Sequence, residues 1–281
     1  MRHVRDTWGD DASIDRQWRA LNYTAAPDGA RAVEEYEAFV ECLRGDGASV
    51  DFIPPGDGAG LDAIYTRDAA IVCDEGMILC RMGKPARRGE PAAIEAFARE
   101  REIPVIGRID GDGLLEGGDA AWIDERTLAV GRGDRTNGEG IRQLRRLMQG
   151  CVDEIIEVQL PAYRATGDVF HLMSIYSPVD SDLAVVFPPL MPDGFSILLR
   201  SRGVAFVEVP DSEFESMGCN VLATGPRRCI MIDGNPITRS RLERAGAEVR
   251  VISGREICRK GCGGPTCLTR PLSRERSPSG R

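Results

Sequence analysis

Leu115-Glu116-Gly117-Gly118-Asp119-Ala120-Ala121-Trp122-Ile123 is the stretch on which the fold assignment turns. A polar, glycine-rich head runs into a short apolar strand. A turn follows, then a second strand at Thr127–Gly131, a helix near Asn137–Met148 and a third strand at Ile155–Val158. In that helix Ile141, Leu144, Leu147 and Met148 fall on one face, the spacing of an amphipathic helix.

The same order recurs on both sides. Upstream, a head ending in Asp68 leads into Ala69–Cys73, a turn at Asp74-Glu75-Gly76, a strand at Met77–Arg81, a basic loop, a helix over Pro91–Glu100 and a strand near Val105. Downstream, Phe170-His171-Leu172 heads a unit with a strand at Leu183–Phe187, a helix at Phe195–Arg202 and a strand at Val204–Val209. Met217-Gly218-Cys219-Asn220 heads a fourth, with strands at Val221–Thr224, Cys229–Ile232 and Glu248–Ile252. Asn235-Pro236 supplies a candidate N-cap and first-turn proline for its helix. A fifth head, Gly263-Gly264-Pro265-Thr266-Cys267, is followed only by a strand at Thr266–Arg270.

The heads are regularly spaced. Asp68 to Asp119 is 51 residues, Asp119 to His171 is 52, His171 to Asn220 is 49 and Asn220 to Cys267 is 47. A period near fifty marks a repeat array. The parts missing from the fifth unit are present at the other terminus: a short segment at Met1–Val4, a helix over Asp28–Arg44 and a strand at Ala48–Ile53. A unit shared by both termini closes a ring and leaves few open sheet edges. The expectation is one domain over residues 1–272, a five-bladed α/β propeller of ββαβ units, although the length alone would accommodate two domains of roughly 150 residues. Ser273–Arg281 is polar and is expected to be a disordered tail. If the heads face the pseudo-symmetry axis, Asp68, Glu116, Asp119, His171, Asn220 and Cys267 meet in one polar pocket.

Composition narrows the function classes. A net charge of −8 argues against a nucleic-acid binder, which needs a basic surface for phosphates. No apolar run is long enough to span a membrane, and Met1-Arg2-His3-Val4-Arg5-Asp6 has no signal-peptide core, so a cytoplasmic protein is expected. The nine cysteines are mostly scattered singly through apolar segments, as small buried side chains of a reducing compartment. Cys258, Cys262 and Cys267 cluster, but not at zinc-pair spacing and without a nearby histidine. No metal and no cofactor are expected.

Glu116-Gly117-Gly118-Asp119, Arg135-Thr136-Asn137, His171-Leu172, Gly218-Cys219-Asn220 and Gly263-Gly264-Pro265-Thr266-Cys267 together resemble the guanidine-modifying (amidinotransferase, or pentein) superfamily. The resemblance runs from about Asp28 to Leu272 and is greatest to dimethylarginine dimethylaminohydrolases. It implies the five-bladed fold, and covalent hydrolysis at a guanidinium carbon. Cys267 would be the nucleophile and His171 the general acid and base. Glu116 would complete the catalytic set and, with Asp68, pair with the guanidinium. Asp119 and Asn220 count among the substrate-binding residues, with Asn220 shaping the pocket through backbone geometry. Arg81 and Arg135 match arginines that hold a substrate carboxylate. The implied partner is a small guanidino substrate, and a homodimer is compatible with this reading. Met173 stands where arginine deiminases carry an aspartate, which disfavours plain arginine as the substrate.

The chemistry suits these residue types. A guanidinium is planar and cationic, and carboxylates accept its N–H groups in fork geometry. A thiolate can attack its carbon, and a positioned histidine can protonate the departing amine and then activate water. Two other classes remain at this stage: an amidinotransferase passing the same intermediate to an amine, and a non-catalytic propeller. A bland partner for Asp68 is its neighbour Arg67.

Overall fold

The computed structural model describes residues 1–56, 59–163 and 170–274. The expected tail lies mostly outside the described residues. Two short helices, α1 (Val4–Thr7) and α2 (Asp11–Gln17), precede a long one, α3 (Gly29–Gly45). Asp28 caps α3 by accepting from the amide of Arg31, and Tyr36, Phe39, Val40 and Leu43 form its buried face.

Four three-stranded sheets follow, built alike. The first holds β1 (Ala70–Cys73), β2 (Gly76–Leu79) and, after helix α4 (Glu90–Glu100), β3 (Val105–Arg108). The second holds β4 (Ala120–Asp124), β5 (Thr127–Arg132) and, after α5 (Gly138–Leu147), β6 (Glu154–Gln159). The third holds β7 (Tyr176–Asp180), β8 (Leu183–Val186) and, after α6 (Asp193–Ser201), β9 (Ala205–Glu208). Helix α7 (Asp211–Phe214) leads to the fourth: β10 (Leu222–Gly225), β11 (Arg228–Ile232), helix α8 (Pro236–Arg244) and β12 (Glu248–Ile252). In each sheet the first two strands are an antiparallel hairpin, and the third returns parallel to the second. The middle strand is flanked on both sides, so it is nearly continuous in apolar residues: β2, β8 and most of β5 and β11 are buried throughout.

The expected ββαβ grammar is present four times. β7 was not read from the sequence because Pro178 interrupts it; proline is tolerated there because β7 is an edge strand, paired only with β8. Asn235 and Pro236 hold the expected N-cap and first-turn positions, but the Asn235 side chain makes no capping bond. Its amide nitrogen donates to the carbonyls of Ser216, Ile232 and Asp233. The first-turn groups of α8 are met instead by the buried carboxylate of Glu213, which accepts from the amides of Ile237 and Thr238 and from the Thr238 hydroxyl.

The unit at the chain ends differs. None of the expected strands at Met1–Val4, Ala48–Ile53 and Thr266–Arg270 forms a ladder. Met1 keeps a remnant: its amine donates to the Asp51 carbonyl (2.8 Å) and its carbonyl accepts from Ile53 (2.8 Å). Helix α1 then begins at once, with the His3 ring accepting from the Arg5 amide. Residues 264–269 form turns, with Cys267 and Leu268 both donating to the Gly264 carbonyl.

The core is a succession of apolar clusters between neighbours. Ile71 and Ile78 of the first unit pack with Leu128, Val130, Ile141 and Leu144 of the second. Ala129 and Val158 pack with Tyr176 and Val185, and these with Cys229 and Met231. The terminal segments lie between the fourth and first units: Tyr36 and Phe39 pack in a cluster with Ile230, Ile232 and Leu268, and Ile53 in one with Met77, Leu79 and Phe97.

Candidate active site

Asp68, His171 and Cys267 line one cavity together with Leu21, Asp62, Tyr65, Lys84, Arg87 and Gly263. Each arrives on a head segment rather than within a strand. Asp68 lies two residues before β1. His171 caps a short turn over Leu172–Ser174, and its backbone N–H donates to the Ser174 hydroxyl at 3.1 Å.

Glycines allow this approach. A Cβ on Gly118 would lie 2.4 Å from His171 Nδ1 and 2.8 Å from Asp68 Oδ1. A Cβ on Gly264 would lie 2.3 Å from the Asn220 amide carbon. All three contacts are shorter than real Cβ atoms make, so no larger residue fits with these groups in place.

Glu116 is fully buried behind His171. Its Oε2 lies 2.8 Å from His171 Nε2. Its Oε1 accepts from the Gly83 amide (2.8 Å) and from Arg135 (3.2 Å). The carboxylate is thus occupied on both oxygens, and orients the imidazole so that Nδ1 faces Asp68, 3.9 Å away. Asp119, also fully buried, holds the same segment by accepting from the Leu172 amide (2.9 Å). Burial is the largest influence on the Asp119 carboxyl and pushes it up to about 6.

Burial opposes charge on His171, but Asp119, Asp68 and Glu116 together outweigh it and raise the imidazole to about 9. It is therefore cationic at neutral pH and can act as a proton donor. Cys267 is also shifted toward its protonated form. Burial, and then the charge of Asp68, raise its thiol, while hydrogen bonds from Asn220 and Thr266 work against this. Asn220 Nδ2 donates to Sγ at 3.5 Å, and Asn220 Oδ1 accepts from the Thr266 amide and hydroxyl at 3.1 and 2.8 Å. One side chain thus fixes both the turn and the sulfur.

The partner of Asp68 is Arg87 and not the adjacent Arg67. Arg87 Nη1 donates to Asp68 Oδ2 at 2.7 Å, while its other nitrogens bind Glu90 and the Tyr65 carbonyl. Arg67 instead ties the first unit to the Cys267 turn: its amide donates to the Cys267 carbonyl and its Nε to the Thr266 carbonyl. Asp68 Oδ1 is buried without a hydrogen-bond partner.

The two arginines expected at a substrate carboxylate are placed elsewhere. Arg81 donates to the Gly113 carbonyl at 3.3 Å and is not on the cavity wall, and Arg135 is spent on Glu116. The cavity cations are Arg87 and Lys84; Lys84 pairs with Asp62 at 2.9 Å and donates to the Leu21 carbonyl. Sequence reasoning missed Asp62, Lys84 and Arg87. The only sequence signal was the basic loop after the second strand, whose direction local pattern does not specify.

Asp68, Glu116 and His171 present ligand atoms within 4.8 Å of one another. Both carboxylates already pair with arginines, and a protonated imidazole offers no lone pair, so the group is poorly matched to a metal ion.

The arginine deiminase family model matches residues 62–203 and 193–274. The chain is 28% identical over 244 residues to the uncharacterized protein YkgA of Bacillus subtilis, covering 86% of this chain and 80% of that one. It is 28% identical over 250 residues to an arginine deiminase of Listeria welshimeri, covering 75% of this chain but only 61% of the relative. Among solved structures, DDAH from Pseudomonas aeruginosa, a mutant complexed with citrulline, superposes with a TM-score of 0.74 at 25% identity, covering 89% of this chain and 94% of that one. The N-terminal domain of the cyanobacterial arginine dihydrolase ArgZ shares the fold, with a TM-score of 0.78 at 23% identity over 88% of each chain. Its named homologues, arginine deiminase and DDAH, are hydrolases of C–N bonds. The chain belongs to the arginine deiminase family, within the guanidine-modifying pentein superfamily that also contains DDAH.

Proposed function

We propose that the protein hydrolyses the guanidino group of arginine or an N-substituted arginine through a covalent thiouronium on Cys267. The observation that carries this reading is Asp68 Oδ1: a buried acceptor with no hydrogen-bond partner, in a cavity shared with a thiol and a cationic imidazole. A buried carboxylate oxygen left unpaired is costly, and a planar N–H cation satisfies it.

The mechanism starts with both groups protonated. Cys267 rests as a thiol. A guanidinium held by Asp68 adds positive charge beside the sulfur and favours the thiolate, so the thiol proton passes to solvent, from which the released amine is later protonated. The sulfur attacks the guanidinium carbon to give a tetrahedral adduct. His171, held by Glu116, donates its proton to the departing amine, leaving an S-alkylthiouronium. The neutral imidazole then deprotonates water, which attacks the same carbon. Breaking the C–S bond releases a ureido product and returns the thiol. For arginine the products are citrulline and ammonia; for a methylated arginine they are citrulline and a methylamine. The cationic His171 resembles the proton donor this sequence needs at its first step. In this reading Glu116 acts by positioning His171, Asp119 and Asn220 by positioning the His171 and Cys267 segments. A carboxylate contact by Arg81 or Arg135 requires each to leave its present partner.

The same reading takes residues 1–272 as one domain in which the terminal segments complete a fifth, ladderless unit of the ring. Its support is the packing of those segments against both the fourth and the first units.

The test incubates purified protein with arginine, monomethylarginine, dimethylarginine and agmatine, and measures ureido product and released amine. Turnover of at least one arginine, lost in Cys267→Ser, is expected. No product and no thiol-dependent adduct with any of the four would overturn the proposal.

A further inference from the structure

We propose that Cys73 and Cys151 form a reversible disulfide that clamps the first unit to the second, at a site separate from the catalytic cavity. Their sulfurs lie 3.5 Å apart, with the Cys73 thiol donating to Cys151, although 78 residues separate them in sequence. Cys73 ends β1 at its hairpin turn, and Cys151 lies in the loop between α5 and β6. Both are half-buried, so small reagents reach them. Both pack against the apolar cluster shared by these two units, beside Ile106, Trp122, Leu147 and Val152.

Two thiols in contact across an interface, each at the end of a strand or loop, need only a small movement to reach the roughly 2.05 Å of a sulfur–sulfur bond. A metal is a poorer occupant. Structural zinc takes four ligands, and among the described residues the cluster of three or more metal-binding side chains is the one at the active site.

The oxidant is a low-molecular-weight disulfide. One of the two, as thiolate, attacks one of its sulfurs, forming a mixed disulfide and releasing one small thiolate. The other, as thiolate, then attacks the protein sulfur of that mixed disulfide. The Cys73–Cys151 bond forms, the mixed bond breaks, and a second small thiolate leaves. Two protein thiols are oxidised, one small disulfide is reduced to two thiols, and the two protein protons pass to them. In a reducing compartment such a link is transient and reports the redox state. The bond ties the segment that follows Asp68 to the unit that carries Glu116.

The experiment treats the native full-length chain with oxidised glutathione and maps its peptides without reduction by mass spectrometry. The expected result is a linked peptide pair containing Cys73 and Cys151, and a rise in Tm of roughly 5–10 °C from closing a long loop, reversed by dithiothreitol. Cys73→Ser and Cys151→Ser should each lose both the link and the rise. Recovery of Cys73 and Cys151 as unreacted thiols, as separate glutathione adducts, or joined to other cysteines or to a second chain would overturn the proposal. The mapping is made on the unaltered protein, so it decides the matter even where a variant folds poorly.

Discussion

Glu116 heads a unit whose ladder runs in continuous register from Thr127–Glu154 to Arg132–Gln159, whereas Cys267 sits on a turn that, among the described residues, adjoins no strand. The contrast separates two ways of placing a reactive group. In the sheet units, backbone ladders and apolar middle strands hold the head, and its side chains are free to face the axis. In the closing unit the same precision comes from side chains of neighbours: Asn220 on the sulfur, Arg67 on the carbonyls of Thr266 and Cys267, and the ring of Tyr65 beneath Gly261 and Gly263. Glu35 of α3 adds to this, accepting from the amides of Arg255, Glu256 and Ile257 just ahead of the turn. Where ladders are absent, single hydrogen bonds carry the geometry, so this region should be the more sensitive to conservative substitution.

The largest effect should come from the closing unit itself. Cys267→Ser is expected to lower ureido-product formation by roughly 10³-fold or more, with Tm little changed. Retained turnover would show that the cavity thiol is not the nucleophile and that the two regions do not share one site.

Next is the histidine of the sheet side. His171 is raised from its ordinary 6.5 to about 9, so the folded state gains from the charged form. That stabilisation is complete below pH 6.5 and is lost as pH rises through about 9. Taken once for the whole His171 environment, it is on the order of 3 kcal/mol. The Tm gap between parent and His171→Asn should therefore narrow from pH 6 to pH 10; a constant gap would contradict a cationic His171.

A matched pair of caps sharpens the comparison. Glu213 and Glu35 each satisfy several backbone donors, one in a sheet unit and one in the closing unit. Glu213→Ala should cost about 2–3 kcal/mol, because its partners are buried, and Glu35→Ala about 1–2 kcal/mol. Only Glu35→Ala should also alter alkylation of Cys267 by iodoacetamide. Equal effects on the thiol from both would erase the distinction between the regions. The smallest expected change is Asn220→Ala, which should slow that alkylation by roughly 5-fold, the worth of one hydrogen bond of about 1 kcal/mol.

Much of the architecture was legible because it repeats. A head, two apolar strands, an amphipathic helix and a third strand recur at intervals near fifty, and alternation of apolar runs with turn residues is a local property. The exceptions are equally local in origin. Pro178 concealed β7, and the helix start at Val4, capped by His3, removed the expected first strand. Long-range choices were not legible. Whether Asp68 would pair with Arg67 or with Arg87, and whether Asn235 or Glu213 would cap α8, depends on which groups the fold brings within about 3 Å, and no spacing rule encodes that.

For the site, the period and the residue types put the acids, the histidine and the thiol among the candidates, and the family resemblance implied their roles. Only the tertiary structure showed how their partners divide. It filled both oxygens of Glu116 and left one oxygen of Asp68 without a hydrogen bond. It left Arg81 and Arg135 off the cavity wall, and set His171 and Cys267 in environments that both favour the protonated form. Charge balance in a buried volume depends on every neighbour at once, so it follows from the assembled fold and not from any single stretch of the chain.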